Sequence, residues 1–172
     1  ISYLSNSSKN ISSNLVLFVN EKFSTNNFNT YVSKSELIYI NDLLKNIDPK
    51  KNIFTFELNA KKKIILISIK KDLNRFKIEN LGAEFYEKIN KNKNDEYFIN
   101  SDSIESRHKN FIGYFLHGLK LKSYKFNKYK SKKENRLISI KVLGKKNTVS
   151  NKDKVKFKAL EEGTFFARDL VS

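Results

Sequence analysis

Short apolar runs alternate along this chain with segments of helical periodicity, and this alternation most narrows the folds available to it. Residues 14–19 are almost continuously apolar, which is typical of a strand covered on both faces. Residues 53–58 and 64–69 are separated by a polar turn, so we expect these strands to pair antiparallel or to lie as neighbours. Shorter runs at 97–99 and 137–142 complete the predicted strands.

Helical segments lie between and after these runs. The first opens with a capping box formed by Ser33 and Glu36, and it is predicted to end at Pro49. A second helix is expected from Asp72, and the last is expected to start after Ser150 or the residue that follows it. Each carries apolar residues on one face, as a helix packed on a sheet requires.

A third helix is expected to begin at Asp102 or Ser103, because either side chain can cap a helix N-terminus. Strands and helices therefore alternate along the whole chain. This order predicts an α/β fold of one domain, with a mixed or largely parallel β-sheet sandwiched between α-helices. The predicted inner face of the third helix consists of Ile104, His108, Phe111, Ile112, Phe115 and Leu119.

Size and composition set broad limits. The chain has 172 residues, of which 39% are hydrophobic, and this is enough for one continuous core. Cysteine is absent from the sequence, which excludes disulfides and thiolate metal sites and fits a reducing compartment. No apolar run is long enough to span a bilayer, so we expect a cytoplasmic protein without a membrane partner.

The formal charge of +16 permits nucleic acid as a partner. The basic residues are nearly all lysine, which favours a solvated surface over recognition by the planar guanidinium of arginine. The alternative function is a nucleic-acid-binding module on residues 118–133, where lysines are interleaved with aromatic residues. There, bases would stack on Tyr124, Phe126 and Tyr129 while lysines follow the phosphates.

Recognisable catalytic motifs are missing from the sequence. His108 and His117 are nine positions apart, so on one helix they would point to different faces and could not bind one metal ion. The five glycines form no phosphate-binding loop, which disfavours nucleotide binding. We therefore predict no catalytic, metal-binding or substrate-binding residue in this chain.

The last eleven residues, 162–172, continue an amphipathic helix up to the end of the sequence. Its apolar residues recur at helical spacing, so we expect this face to be packed along its whole length and the polypeptide to continue beyond it. The predicted packed face consists of Phe157, Leu160, Thr164, Ala167 and Val171.

Two motifs resemble the leucyl aminopeptidases, the cytosol aminopeptidase family. The first runs from Gly118 to Lys132 and contains Ser123, Tyr124 and Phe126. The second, about thirty residues later, reads Glu-Gly-x-x-x-Ala-Arg-Asp-Leu-Val over residues 162–171 and is the more specific. In this family, a helix ending in Arg-Asp-Leu-Val connects an N-terminal domain to the catalytic domain.

The resemblance implies a macro-domain-like fold over residues 1–150, with 151–172 as a connecting helix to a C-terminal catalytic domain. It implies a parent enzyme that is a homohexamer and releases N-terminal amino acids from peptides. Two divalent ions, manganese or zinc, would serve catalysis there. Their ligands would lie outside this chain, so the resemblance implies that these 172 residues bind no metal and are inactive alone.

Within the chain, the resemblance assigns a structural role to Arg168 and Asp169 as anchors of the domain junction. The parent's partners would be its own catalytic domain, identical subunits and peptide substrates. A third interpretation, by analogy with macro domains, is binding of ADP-ribose, which the scarcity of glycine disfavours.

Overall fold

The computed structural model describes residues 1–4, 11–48, 50–90, 95–106, 108–124 and 138–171, and these form six strands and four helices. The predicted α/β class is confirmed. The strands are β1 (Ser2–Leu4), β2 (Asn14–Asn20), β3 (Ile53–Asn59), β4 (Lys62–Ile69), β5 (Glu96–Asn100) and β6 (Ser139–Leu143). The helices are α1 (Lys34–Leu44), α2 (Arg75–Ile89), α3 (Phe111–Lys122) and α4 (Asn151–Val171).

The chain divides into two compact units, and the first comprises residues 1–72, 95–107 and 138–147. It contains one sheet with the strand order β1-β6-β5-β2-β4-β3. All neighbouring strands are parallel except β3 and β4, which pair antiparallel. The sheet is therefore mixed, as predicted. For the strands at 53–58 and 64–69 we expected either antiparallel pairing or a position as neighbours, and they pair antiparallel.

The centre of this sheet is formed by β2 and β4. In β2 every residue from Asn14 to Val19 is buried, so both faces of the strand are covered, as its continuous apolar run predicts. One face belongs to a core that also includes Ile40 of α1 and the aromatic rings of Phe28 and Phe54. This core fixes α1 to the sheet.

The capping box of α1 is confirmed. The backbone N–H of Glu36 donates to the Ser33 hydroxyl at 3.3 Å, and the Glu36 carboxylate accepts from the Ser33 N–H at 2.9 Å. The helix ends at Leu44, before the predicted end at Pro49, which lies outside the described residues. Ile47 nevertheless packs against the core, which explains why the apolar pattern continues past the helix.

An ion pair joins α1 to β4. The Lys62 ammonium lies 2.6 Å from a carboxylate oxygen of Glu36, and both side chains are partly buried. Burial alone raises the pKa of Glu36, but hydrogen bonds from Lys62 and Ser33 and the charge of Lys62 together hold that pKa below its usual value.

The first strand was not predicted. β1 has three residues and pairs in parallel with β6, with Tyr3 opposite Val142. Tyr3 is 39% exposed and Ser2 is also exposed, so the strand has no continuous apolar run to reveal it. Its pairing depends on a strand more than a hundred residues away in the sequence.

The second unit comprises residues 73–94, 108–137 and 148–172, and its described part contains α2, α3 and α4. The helices α2 and α3 touch through their backbones at two glycines. A Cβ added to Gly82 would lie 1.9 Å from the carbonyl oxygen of Phe115, and one added to Gly118 would lie 1.9 Å from that of Glu79. Only glycine fits at either position, so the two glycines mark a close contact between α2 and α3.

The predicted start of α3 is wrong. The helix begins at Phe111 after Asn110, whose φ of 62° is left-handed. Ser103 instead lies in a short 3-10 turn after β5, where its hydroxyl accepts from the N–H of Phe18 at 2.9 Å and donates to the carbonyl of Asn100 at 2.7 Å. A capping residue and a serine that bridges two strands look the same in sequence.

Two members of the predicted inner face, Ile104 and His108, consequently lie outside the helix. The other four, Phe111, Ile112, Phe115 and Leu119, are buried on α3 as predicted. None of the helices in the described residues is long and apolar enough to cross a membrane.

Candidate functional site

The helix α4 packs against α3 along one face. Phe157 is 7% exposed, and its ring lies 5.1 Å from that of His117 and 5.3 Å from that of Tyr114. A Cβ on Gly113 would come within 2.7 Å of the Phe157 ring, so the small residue on α3 makes room for the phenylalanine. This contact anchors the first half of α4.

Of the other four residues of the predicted packed face, Thr164 is partly buried and three are exposed. Leu160 is 48% exposed and Val171 is 86% exposed, and Ala167 is exposed as well. The face that contacts α3 is rotated towards Glu161 and Phe165. The pattern of apolar residues missed it because this face also makes polar contacts, such as that between Glu161 and His117.

Arg168 and Asp169, the predicted junction residues, bond to the C-terminal end of α3. The Arg168 guanidinium donates to the carbonyl oxygen of Leu121 at 2.9 Å and lies 5.4 Å from the centre of the Tyr124 ring. Asp169 accepts from the Tyr124 hydroxyl at 2.5 Å. A cation at the last carbonyls of a helix is stabilising, so these contacts hold the two helices together. Their role as anchors of a domain junction stays a prediction.

The same contacts involve Tyr124, one of three aromatic residues predicted to stack on bases. Its ring packs 5.1 Å from that of Phe165 and is also covered by Arg168. Phe126 and Tyr129 lie outside the described residues. The nucleic-acid-binding surface therefore stays a prediction, and Tyr124 is engaged by α4.

His117 and His108 do not share a helix. His117 is 7% exposed on α3, and its Nδ1 lies 3.3 Å from a carboxylate oxygen of Glu161 on α4. His108 precedes α3, and its ring packs edge-on against Tyr114 at 5.4 Å. His117 is thus one more link between α3 and α4.

The opposite side of α4 carries a second set of apolar residues, which we call the outward stripe. It consists of Val155, Ala159, Phe166 and Leu170, which recur at helical spacing and are all exposed. Val155 is 70% exposed, Phe166 66% and Leu170 67%. Gly163 lies among them, and apart from its chain neighbours and the backbone of its own helix, no described atom comes within 4 Å of the position of its missing Cβ. This stripe was not predicted as a separate face.

An open crevice of about 460 Å³ lies in the first unit, at the carboxyl ends of β2 and β5. Its floor includes the buried residues Phe28 and Ile104, and its rim includes Asn20, Glu105 and Lys146. The crevice was not predicted. The available signal was the run of polar residues that directly follows two predicted strands, because the carboxyl ends of parallel strands meet at one edge of a sheet.

Among the described residues, there is no group of three or more histidine, aspartate or glutamate side chains placed to hold a metal ion. Neither a protein-family model nor a curated protein matches the sequence.

The fold, in contrast, is shared with known structures. One is a mutant of tomato leucine aminopeptidase, with a TM-score of 0.60 and 12% identity over 93% of this chain and 35% of that one. Another is the cytosol aminopeptidase of Coxiella burnetii, with a TM-score of 0.58 and 14% identity over 99% of this chain and 33% of that one. A third is the bottromycin maturation enzyme BotP in complex with Mn, with a TM-score of 0.60 and 10% identity over 94% of this chain and 32% of that one.

At the level of class, these matches agree with a mixed-sheet α/β fold. More particularly, it has the fold of a segment found in leucine and cytosol aminopeptidases and in BotP, so the predicted resemblance is confirmed at the level of the fold. The chain spans about a third of the length of each structure it matches.

Proposed function

We propose that this chain is the non-catalytic N-terminal domain of a metal-dependent leucyl aminopeptidase, which releases N-terminal amino acids from peptides. In this proposal, residues 1–150 form the macro-like domain and α4 connects it to a C-terminal catalytic domain. The parent enzyme would be a cytoplasmic homohexamer. Two divalent ions, manganese or zinc, would serve catalysis there on residues outside this chain, and we assign no chemical step to these 172 residues.

One observation carries the proposal. The structural matches cover 93% to 99% of this chain but only 32% to 35% of the aminopeptidase chains. A domain that corresponds to a third of an enzyme is expected to work with the remaining two thirds. At this level of identity the likeness concerns the fold, so the activity is part of the proposal.

The outward stripe of α4 supports the same assignment. An isolated domain gains nothing from placing Phe166 and Leu170 in water, and exposed apolar residues in a row mark surfaces that another protein covers. The opposite side of α4 is already anchored on α3 by Phe157 and Arg168. We propose that the catalytic domain packs on the outward stripe.

An activity assay tests the assignment of the chemistry. The longer protein that contains this chain should hydrolyse leucine p-nitroanilide in the presence of Mn²⁺, and the purified 172-residue chain should not. Turnover that co-elutes with the 172-residue chain would contradict the proposal. A reading frame that stops directly after Ser172 would contradict it as well.

A pair of substitutions tests the proposed surface in the longer protein. Phe166→Asp places a charge on the outward stripe and should lower both the melting temperature and the hydrolysis rate, because a buried carboxylate without a partner is costly. Lys158→Asp is the matched control, since the Lys158 side chain is also exposed, at 76%, on another side of the same helix. Equal effects of the two substitutions would show that the catalytic domain does not pack on the outward stripe.

A further inference from the structure

We propose that the crevice of the first unit binds a small zwitterion with an apolar side chain, either a free amino acid or a short peptide. The proposal goes beyond the function proposed above, because it concerns a second binding site within this chain. It depends only on the residues that line the crevice.

The position of the crevice favours a ligand site. From β2 the chain proceeds to β3 and β4 on one side, whereas β5 is followed by β6 on the other side. The two neighbouring strands β2 and β5 therefore form a switch point of the topology. In open α/β sheets, ligands bind at the carboxyl ends of the strands at such a point.

The walls of the crevice are held in place by hydrogen bonds. The Ser103 hydroxyl connects β2 to the turn after β5. Asp102 accepts from the backbone N–H groups of Lys145 and Lys146 at 2.9 and 2.7 Å, which ties the segment after β6 to the same turn. A site that is already ordered loses little entropy when a ligand binds.

The charges at the rim determine the class of ligand. Among the described residues that line the crevice, Glu105 and Asp102 contribute two carboxylates and Lys146 contributes one ammonium group, in a chain with a net charge of +16. A polyanion would be repelled by the carboxylates.

A zwitterion can pair with both the carboxylates and the ammonium group at the rim of the crevice. Asn27 donates to one carboxylate oxygen of Glu105 at 3.1 Å, which orients the carboxylate and leaves its second oxygen for an ammonium group. Lys146 lies on the same rim, where its ammonium group would donate to the carboxylate of the ligand. Phe28 and Ile104, 3% and 6% exposed, give an apolar floor for an aliphatic side chain. The volume of about 460 Å³ is within the range of small-molecule sites.

A titration followed by ¹H–¹⁵N NMR on the 172-residue chain tests the proposal. L-leucine and leucylglycine are the probes, and the tighter one identifies the source as a free amino acid or a peptide. We expect a dissociation constant of about 1 mM or lower, with the largest shifts at crevice residues. N-acetyl-leucine lacks the ammonium group and leucinamide lacks the carboxylate, so each should bind about tenfold more weakly than leucine.

Two variants test which residue at the rim binds the ammonium group of the ligand and which binds its carboxylate. Glu105→Gln should make leucine bind as weakly as N-acetyl-leucine, and Lys146→Gln should make it bind as weakly as leucinamide. Both residues are exposed at the rim, so neither substitution should affect folding. The control is Glu57→Gln, which removes an exposed carboxylate from β3, outside the crevice.

Three results would overturn the proposal. The first is the absence of shifts at crevice residues at about 10 mM of either probe. The second is equal affinity of the unaltered chain for leucine and N-acetyl-leucine. The third is tighter binding of ADP-ribose than of leucine, which would indicate a nucleotide site. None of these results bears on the aminopeptidase assay, so the two proposals fail separately.

Discussion

The two helix contacts of the second unit differ in kind. Between α2 and α3 the backbones touch at Gly82 and Gly118, where a single methyl group would collide with a carbonyl oxygen. Between α3 and α4 the contact is made by side chains, with Phe157 in a gap at Gly113 and Arg168 on the carbonyl of Leu121.

The difference indicates what each contact tolerates. A backbone contact has no adjustable side chain, so any added volume must move a whole helix. A side-chain contact can lose one interaction and keep the others. We infer that α2 and α3 form a fixed pair, and that α4 is held by several separable interactions which leave its other side available.

The largest expected effect is that of Gly118→Ala. Its new Cβ would lie 1.9 Å from the carbonyl oxygen of Glu79, so the free energy of unfolding should fall by about 4 kcal/mol or more, measured by urea denaturation. Gly163→Ala is the matched control on α4, because the space around Gly163 is open. It should stabilise the chain by about 0.5–1 kcal/mol through helix propensity. A small effect of Gly118→Ala would refute the contrast between the two contacts.

Phe157→Ala should be next in size. The side chain is buried between α3 and α4, and its removal should cost about 3 kcal/mol in the free energy of unfolding. Phe166→Ala removes the same group from the exposed side of α4 and should change the unfolding free energy by less than about 0.5 kcal/mol. Similar losses for both variants would mean that α4 does not have one anchored and one open side.

Tyr124→Phe should have a smaller effect, about 0.5–1 kcal/mol, because it removes only the hydroxyl that donates to Asp169. The ring and its contacts with Phe165 and Arg168 remain. A double-mutant cycle with Asp169→Ala measures this bond alone. A coupling energy near zero would show that the hydroxyl does not help to hold α4.

The smallest effect is expected in the first unit and depends on pH. Glu36→Gln keeps an acceptor for the capping box but removes the charge that pairs with Lys62, so it should cost less than about 1 kcal/mol at neutral pH. The pKa of Glu36 is lowered in the folded chain, so the stabilisation is present above the pKa of the unfolded chain. It is lost as the pH falls through the folded pKa.

Urea denaturation at several pH values should therefore show the unaltered chain and the variant converging in acid. A difference that grows as the pH falls would contradict the assigned direction.

Much of the sheet could be predicted from the sequence, because β2 and β4 are continuous apolar runs and such runs are local signals. The start of α1 was equally local, since Ser33 and Glu36 are three residues apart. In contrast, β1 depends on pairing with β6, and Ser103 on a bond to Phe18 that is 85 residues away in sequence. No local pattern contains these partners.

The candidate sites were harder to predict. Arg168 and Asp169 were identified through a motif, but their partners Leu121 and Tyr124 could not be read from periodicity, because a backbone carbonyl and a phenol are not apolar. The crevice combines segments that follow three different strands, so it exists only once the strand order is known.

The open space at Gly163 means that stabilising the chain in isolation has a cost. At Gly82 and Gly118, the backbone of another helix already fills the space of the missing side chain. At Gly163, in the middle of the outward stripe, that space is open. Replacing this glycine by alanine would stabilise the 172-residue chain. It would also fill a position on that side of the helix where the main chain of a neighbouring segment could approach closely.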